Sequence, residues 1–360
     1  MNSLHRQRLE RLRQALIEAH LSQMVICDPL SIWYLTGTMV EPGERLYALY
    51  VSTEGKLCMI ANRLFQVEDA DLPVVWITDS DDGVAILAQQ VDAKADLGID
   101  KKWPARFLLP LMDLNPGVRY RDASFCVDQL RLIKDEQELE KMRIASAIND
   151  RCMEAAAAYI KEGMTERQCA AYIDSLYQEA GCEGPSFTTI VSFGPHAADP
   201  HHAPDDTPLK EGDCIVIDMG CVKDRYCSDM TRTFFCKKAD ETYAAIHDLV
   251  REANEKAESI IRPGVPLCEI DRVAREHIAS RGYGPFFTHR LGHMIGLEDH
   301  DPGDVSSASK DVAREGMVFS IEPGVYLPGK FGVRVEDLVI VTADGCEILN
   351  HVDKHWKIIG

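Results

Sequence analysis

Leu9, Leu12 and Leu16 recur at helical spacing among the charges of HRQRLERLRQALIEAH, and that stripe predicts an amphipathic surface helix at the N-terminus. Apolar, β-branched runs follow: VICDPLSIWYLTG, YALYVST, KLCMIAN and VVWIT. Asp-Pro, Thr-Gly and Glu-Gly break them, which predicts a mixed α/β layer domain over residues 1–125. The pattern then turns helical in VDQLRLIKDEQELEKMRIASAINDRCMEAAAAYI. Its charge-dense start, Arg131 to Glu140, marks a boundary, giving a linker over 126–138 and a second domain over 139–360. The fold class expected is α+β.

The second domain repeats itself. Gly163-Met-Thr-Glu-Arg-Gln predicts a helix with Thr165 as N-cap and Gln168 closing a capping box, ending at Gly181. Gly264 opens a helical stretch ending at Gly282, and each glycine-to-glycine interval is 18 residues. KEGDCIVIDMG (210–220) matches REGMVFSIEPG (314–324) at a constant offset of 104, aligning Asp218 with Glu322. Each half reads helix, strand, turn, strand, so an internal duplication about a pseudo-two-fold axis is expected.

Within each half the two strands read as a hairpin. A symmetric turn over Val222 to Arg225 opposes Asp218 with Asp229; a turn centred on Gly329 opposes Glu322 with Glu336. Directly opposed residues have Cβ atoms roughly 4.5–5.5 Å apart, and like charges there destabilise the ladder. The same conflict at equivalent places in both halves calls for a counterion, and two divalent metals about 3.5–4 Å apart would supply it.

Composition narrows the rest. A formal charge of −19 over 360 residues argues against nucleic acid or an anionic membrane as the main partner, since both need a basic surface. No apolar run reaches the roughly 18 residues of a membrane span, and the N-terminus lacks the apolar core of a signal peptide. Twelve cysteines without a secretion signal read as reduced thiols in the cytoplasm. Four of them lie between 214 and 236 beside the aspartates, but Cys214 and Cys227 share parity with the aspartate of their strand while Cys221 and Cys236 do not. With no C-x2–4-C pair there, a structural zinc module is disfavoured and the carboxylates carry the site. Histidines add to it. His289 and His293 sit in THRLGHMIGLEDHD, whose glycines argue against a regular helix; His300 and the pair His201-His202 lie on loops. One imidazole beside four carboxylates suits Mn²⁺, Co²⁺ or Zn²⁺.

Five motifs in order, Asp218-Met-Gly, Tyr226-Cys-Ser-Asp229-Met-Thr-Arg-Thr, His289-Arg-Leu-Gly-His293, Ile321-Glu322-Pro-Gly-Val-Tyr326 and Val333-Arg334-Val-Glu336-Asp, resemble those of the pita-bread metallopeptidases. The likeness is to the proline-specific branch, Xaa-Pro dipeptidase (prolidase) and aminopeptidase P. It spans the whole chain, with a creatinase-like N-terminal domain and an R-x-x-K linker at Arg131 and Lys134. The resemblance implies a dinuclear centre, most readily of manganese, held by Asp218, Asp229, His293, Glu322 and Glu336. In it Asp229 and Glu336 bridge both ions and a hydroxide between them is the nucleophile. It further implies Glu322 as the proton carrier, and His201 and His300 as imidazoles that stabilise the tetrahedral intermediate. His201 is preferred to His202 because it follows the proline. Arg334, Tyr326 and His289 take supporting or substrate-facing places. The expected substrate is a small peptide with proline after the scissile bond, and the expected assembly a homodimer. Two other readings stand beside it: an ectoine-type amide hydrolase of the same fold, and an inactive binding module. Creatinase-like and scaffold members lose ligands, whereas all five are present in this chain.

Overall fold

The computed structural model describes residues 3–65, 67 and 71–360. It divides into two compact units, Met1–Arg131 and Leu132–Gly360. In the first, six strands run in the spatial order Val74–Ile77, Leu57–Asn62, Ala48–Ser52, Gln23–Ile26, Leu97–Ile99, Tyr120–Asp122. Gln23–Ile26 pairs antiparallel with one neighbour and parallel with the other, so the sheet is mixed. The N-terminal helix, Ser3–Glu18, buries Leu9, Leu12 and Leu16 as the stripe predicts.

The long helical stretch of the sequence is two helices, Ser124–Leu132 and Glu136–Tyr159. Asp135 breaks it: its carboxylate caps the Glu138 N–H, and Glu138 reaches back to the Asp135 N–H. In the second unit the duplication shows as repeated bonds. Thr165 and Gln168 form the expected capping box ahead of helix Glu166–Glu179. Gly163 donates to Leu209 O at 2.9 Å, and Gly264 to Ala313 O at 2.8 Å. Isolated bridges join Thr165 to Pro208 and Pro266 to Val312.

Each half is an antiparallel set of three strands covered by two helices. The first comprises Ile190–Phe193, Cys214–Met219 and Met230–Cys236, with Ile358–Ile359 added at one edge. Its apolar residues pack with those of helices Glu136–Tyr159 and Glu166–Glu179. The second comprises Gly292–Met294, Val318–Ile321 and Asp337–Val341, with Asp301–Val305 and Cys346–Ile348 added at its two edges, packed with helices Glu241–Glu258 and Leu267–Ala279. One buried asparagine on the longer helix of each pair donates to an acid-bearing segment: Asn149 to Met219 O at 2.8 Å, Asn254 to Ile321 O at 2.7 Å. The cysteines separate as their parity requires, Cys214 into one core and Cys221 and Cys236 into the other.

The first hairpin differs from the symmetric turn expected of it. Asp224 and Arg225 have φ of 49° and 69°, making a two-residue turn one position later. Asp218 therefore pairs with Thr231, not with Asp229. A shift of two residues preserves the face each side chain takes, so Asp229 is displaced along the hairpin without leaving the site. The second hairpin keeps its expected register. Gly324 pairs with Arg334 and Ile321 with Asp337, which sets Glu322 against Glu336 between the two ladders.

Candidate metal centre

The strands bring five donor residues to one place. Asp218 lies near the end of Cys214–Met219, and Asp229 just before Met230–Cys236. Glu322 and Glu336 hold the corresponding positions after Val318–Ile321 and before Asp337–Val341. His293 is the middle residue of Gly292–Met294. Gly292 beside it is obligatory: a Cβ there would lie 1.8 Å from Ser320 O on the neighbouring strand. All five donors line a cavity of about 700 Å³, together with His201, His289, His300 and Arg334.

Donor atoms of Asp229, His293 and Glu336 lie within 4.8 Å of one another. His293 Nε2 is 3.5 Å from Asp229 Oδ2 and 3.5 Å from Glu322 Oε1. Its Nδ1 faces Met294 O at 3.2 Å; donating there leaves the Nε2 lone pair toward the carboxylates. Burial holds this imidazole neutral by pushing its pKa down to about 3.

The carboxylates are under electrostatic load. Burial, then the Glu336 charge, raises the Asp229 carboxyl far above the usual range; burial and Glu322 do the same to Glu336. Burial lifts Glu322 to about 7, against the opposing pull of Arg334. Asp218 Oδ1, Asp229 Oδ1 and Glu336 Oε1 are buried with no hydrogen-bond partner among the described residues. Such atoms cost roughly 1–3 kcal/mol each, and more when charged, so the donor set fits hard divalent cations.

A chain of bonds braces the cluster. Arg334 donates to Asp218 Oδ2 at 2.7 Å and to the Tyr326 hydroxyl at 2.8 Å. Tyr326 lies 2.8 Å from His289 Nε2, whose Nδ1 meets Arg290 O at 2.6 Å. Burial pushes His289 down to about 3, so a neutral ring donates through Nδ1 and accepts the tyrosine proton at Nε2. His300 is exposed at the cavity, its ring centroid 4.2 Å from that of His293. His201 stands exposed at the cavity; His202 lines it too, with its Nε2 held 2.8 Å from Glu166 Oε2.

Thr231 and Ser320 escape the sequence reading. Thr231 donates to Glu336 Oε2 at 2.7 Å and accepts from Arg334 Nε at 3.0 Å. Ser320 donates to Glu322 Oε1 at 3.2 Å and accepts the His293 N–H at 3.0 Å. Pairing Asp218 with its true partner is the signal that finds Thr231.

A duplicated half-sheet fold closing on four acids and a histidine defines a metal-dependent hydrolase. Residues 140–343 match the model of metallopeptidase family M24, and residues 8–133 that of the creatinase/prolidase N-terminal domain. The chain belongs to metallopeptidase family M24. An uncharacterized peptidase of Staphylococcus aureus is 37% identical over 334 residues, covering 91% of this chain and 94% of its own. A prolidase from Thermococcus sibiricus superposes with a TM-score of 0.95 at 31% identity, over 100% of both chains. A dipeptidase from Pyrococcus horikoshii does so with 0.94 at 33% identity, over 98% of this chain and 100% of its own.

Proposed function

We propose that this metallopeptidase hydrolyses Xaa-Pro dipeptides at a dinuclear centre. The observation that carries the reading is the set of unpartnered buried carboxylate oxygens around His293 in a cavity also lined by His201 and His300. Asp218, Asp229, His293, Glu322 and Glu336 would hold two divalent ions. Ions bound there supply a water activated near neutral pH and polarise the scissile carbonyl.

The chain's own groups do the rest. Glu322, its Oε1 3.5 Å from His293 Nε2, takes the proton of the attacking water and returns one to the proline nitrogen. His201 and His300 donate to the carbonyl oxygen as its charge develops. His202 is committed to Glu166, which favours His201 in that role. Arg334 and Tyr326 keep Asp218 aimed. A bond to proline has no N–H, so the site need not offer an acceptor there. The prolidase and dipeptidase among its structural relatives support the substrate class. Manganese, a homodimer and a cytoplasmic location complete the proposal.

The test is a substrate panel with Mn²⁺-loaded protein: Ala-Pro, Ala-Pro-Ala and Ala-Ala. Rapid cleavage of Ala-Pro, with the other two slower by at least about tenfold, is expected. Tripeptide preference would make it an aminopeptidase, and cleavage of Ala-Ala equal to Ala-Pro would refute proline specificity.

A further inference from the structure

Glu166, His196, His202 and Asp205 form a second cluster of metal-type donors, one atom from each lying within 4.8 Å of the others. Glu166 opens helix Glu166–Glu179 and is wholly buried. The other three lie on the segment that follows strand Ile190–Phe193 and carries His201. His196 Nδ1 is 3.0 Å from Glu166 Oε1, and His202 Nε2 is 2.8 Å from Oε2. The two rings have centroids 4.2 Å apart.

Hydrogen bonding alone does not call for both imidazoles. Glu166 already accepts the N–H of Phe193 at 2.8 Å and of Asp205 at 3.2 Å. Asp205 gives Oδ1 to the Thr207 N–H. The histidine side chains are 33% and 16% exposed, so an ion has a route in from solvent. Two neutral imidazoles with two carboxylates carry a charge of about −2, which one divalent cation cancels. They also match the four nitrogen and oxygen donors of a tetrahedral zinc site. Arms of about 2.0–2.1 Å place neighbouring donors roughly 3.4 Å apart, so closing the cluster on an ion takes movements of about 1.5 Å or less.

We propose that Glu166, His196, His202 and Asp205 bind one divalent cation of zinc type, separate from the Asp229–Glu336 centre. The ion ties the His201-bearing segment to the start of helix Glu166–Glu179. Glu166 keeps its two backbone N–H bonds, which orient the carboxylate as outer partners do in metal sites.

The experiment counts metal instead of turnover, so it stands whatever the peptide substrate proves to be. Metal-stripped full-length protein is saturated with Zn²⁺, desalted and analysed by mass spectrometry of the metal. H196N is expected to hold one equivalent fewer than wild type, whatever number the main centre takes. Amide exchange over residues 194–205 should slow at least tenfold with zinc in wild type and stay unchanged in H196N. Equal stoichiometry and equal protection in the two proteins would overturn the site. Should H196N lose its native circular dichroism, D205N, which changes a partly exposed side chain, gives the same two readings.

Discussion

Thr231 positions a carboxylate of the candidate metal centre through one hydroxyl. It hydrogen-bonds Glu336 and is in turn held by Arg334, so it fixes which carboxylate oxygen stays free. Removing such an outer partner typically weakens metal affinity or activity about 10–100-fold. T231V is expected to fall in that range, with Mn²⁺ affinity by competition titration as the check; unchanged affinity would deny Thr231 its positioning part. Asp218 and Glu336 stood out as candidates because acids in apolar strands, IVIDMG and VRVEDLVIV, contradict their surroundings. Thr231 did not, because a threonine in a strand contradicts nothing. Its role depends on register, and that rests on two positive φ values at Asp224 and Arg225.

Elements were legible where local chemistry decides them. The Thr165 capping box and the leucine stripe of the first helix are properties of a few neighbouring residues. The break at Asp135 has the same kind of signal, D-x-x-E, yet continuous helical periodicity on both sides masks it. Helix Glu241–Glu258 carries a different message in His247, which is 1% exposed. Burial, reinforced by Arg251 and Arg232, pushes its pKa down to about 3 from 6.5. Between those values the unfolded chain binds a proton that the folded chain refuses, so stability is present above about pH 6.5 and is lost as pH falls toward 3. The slope for one such group is about 1.4 kcal/mol per pH unit. Urea unfolding of H247L at several pH values across that window should show a shallower decline than wild type by about that amount. Parallel curves would mean His247 is protonated alike in both states.

Over the whole molecule, the repeat could be read because two short matches share one order and nearly one spacing. What spacing cannot give is how the halves face each other, which depends on long-range packing of both cores. That closure sets four acids together with Arg334 bonded to Asp218, so cations bound there would stabilise the folded state by mass action. Ions at about 100 times their Kd contribute about 2.7 kcal/mol. A unit the size of Leu132–Gly360 shifts its Tm by about 2–4 °C per kcal/mol. EDTA is therefore expected to lower Tm by roughly 5–10 °C in scanning calorimetry, with Mn²⁺ restoring it. A Tm indifferent to EDTA would count against tightly held ions.

The pairing of Thr231 with Glu336 also dictates an order of events in folding. The donors run from Asp218 to Glu336, and no stretch of chain from one half holds the full set. Closing so long a loop is slow compared with forming hairpins or capped helices. An ion that needs all five candidate ligands would then be captured only after the two halves meet, and a chain interrupted before Glu336 lacks one of the five. The candidate centre thus depends on long-range closure, while the capped helices and hairpins that carry it depend on near neighbours.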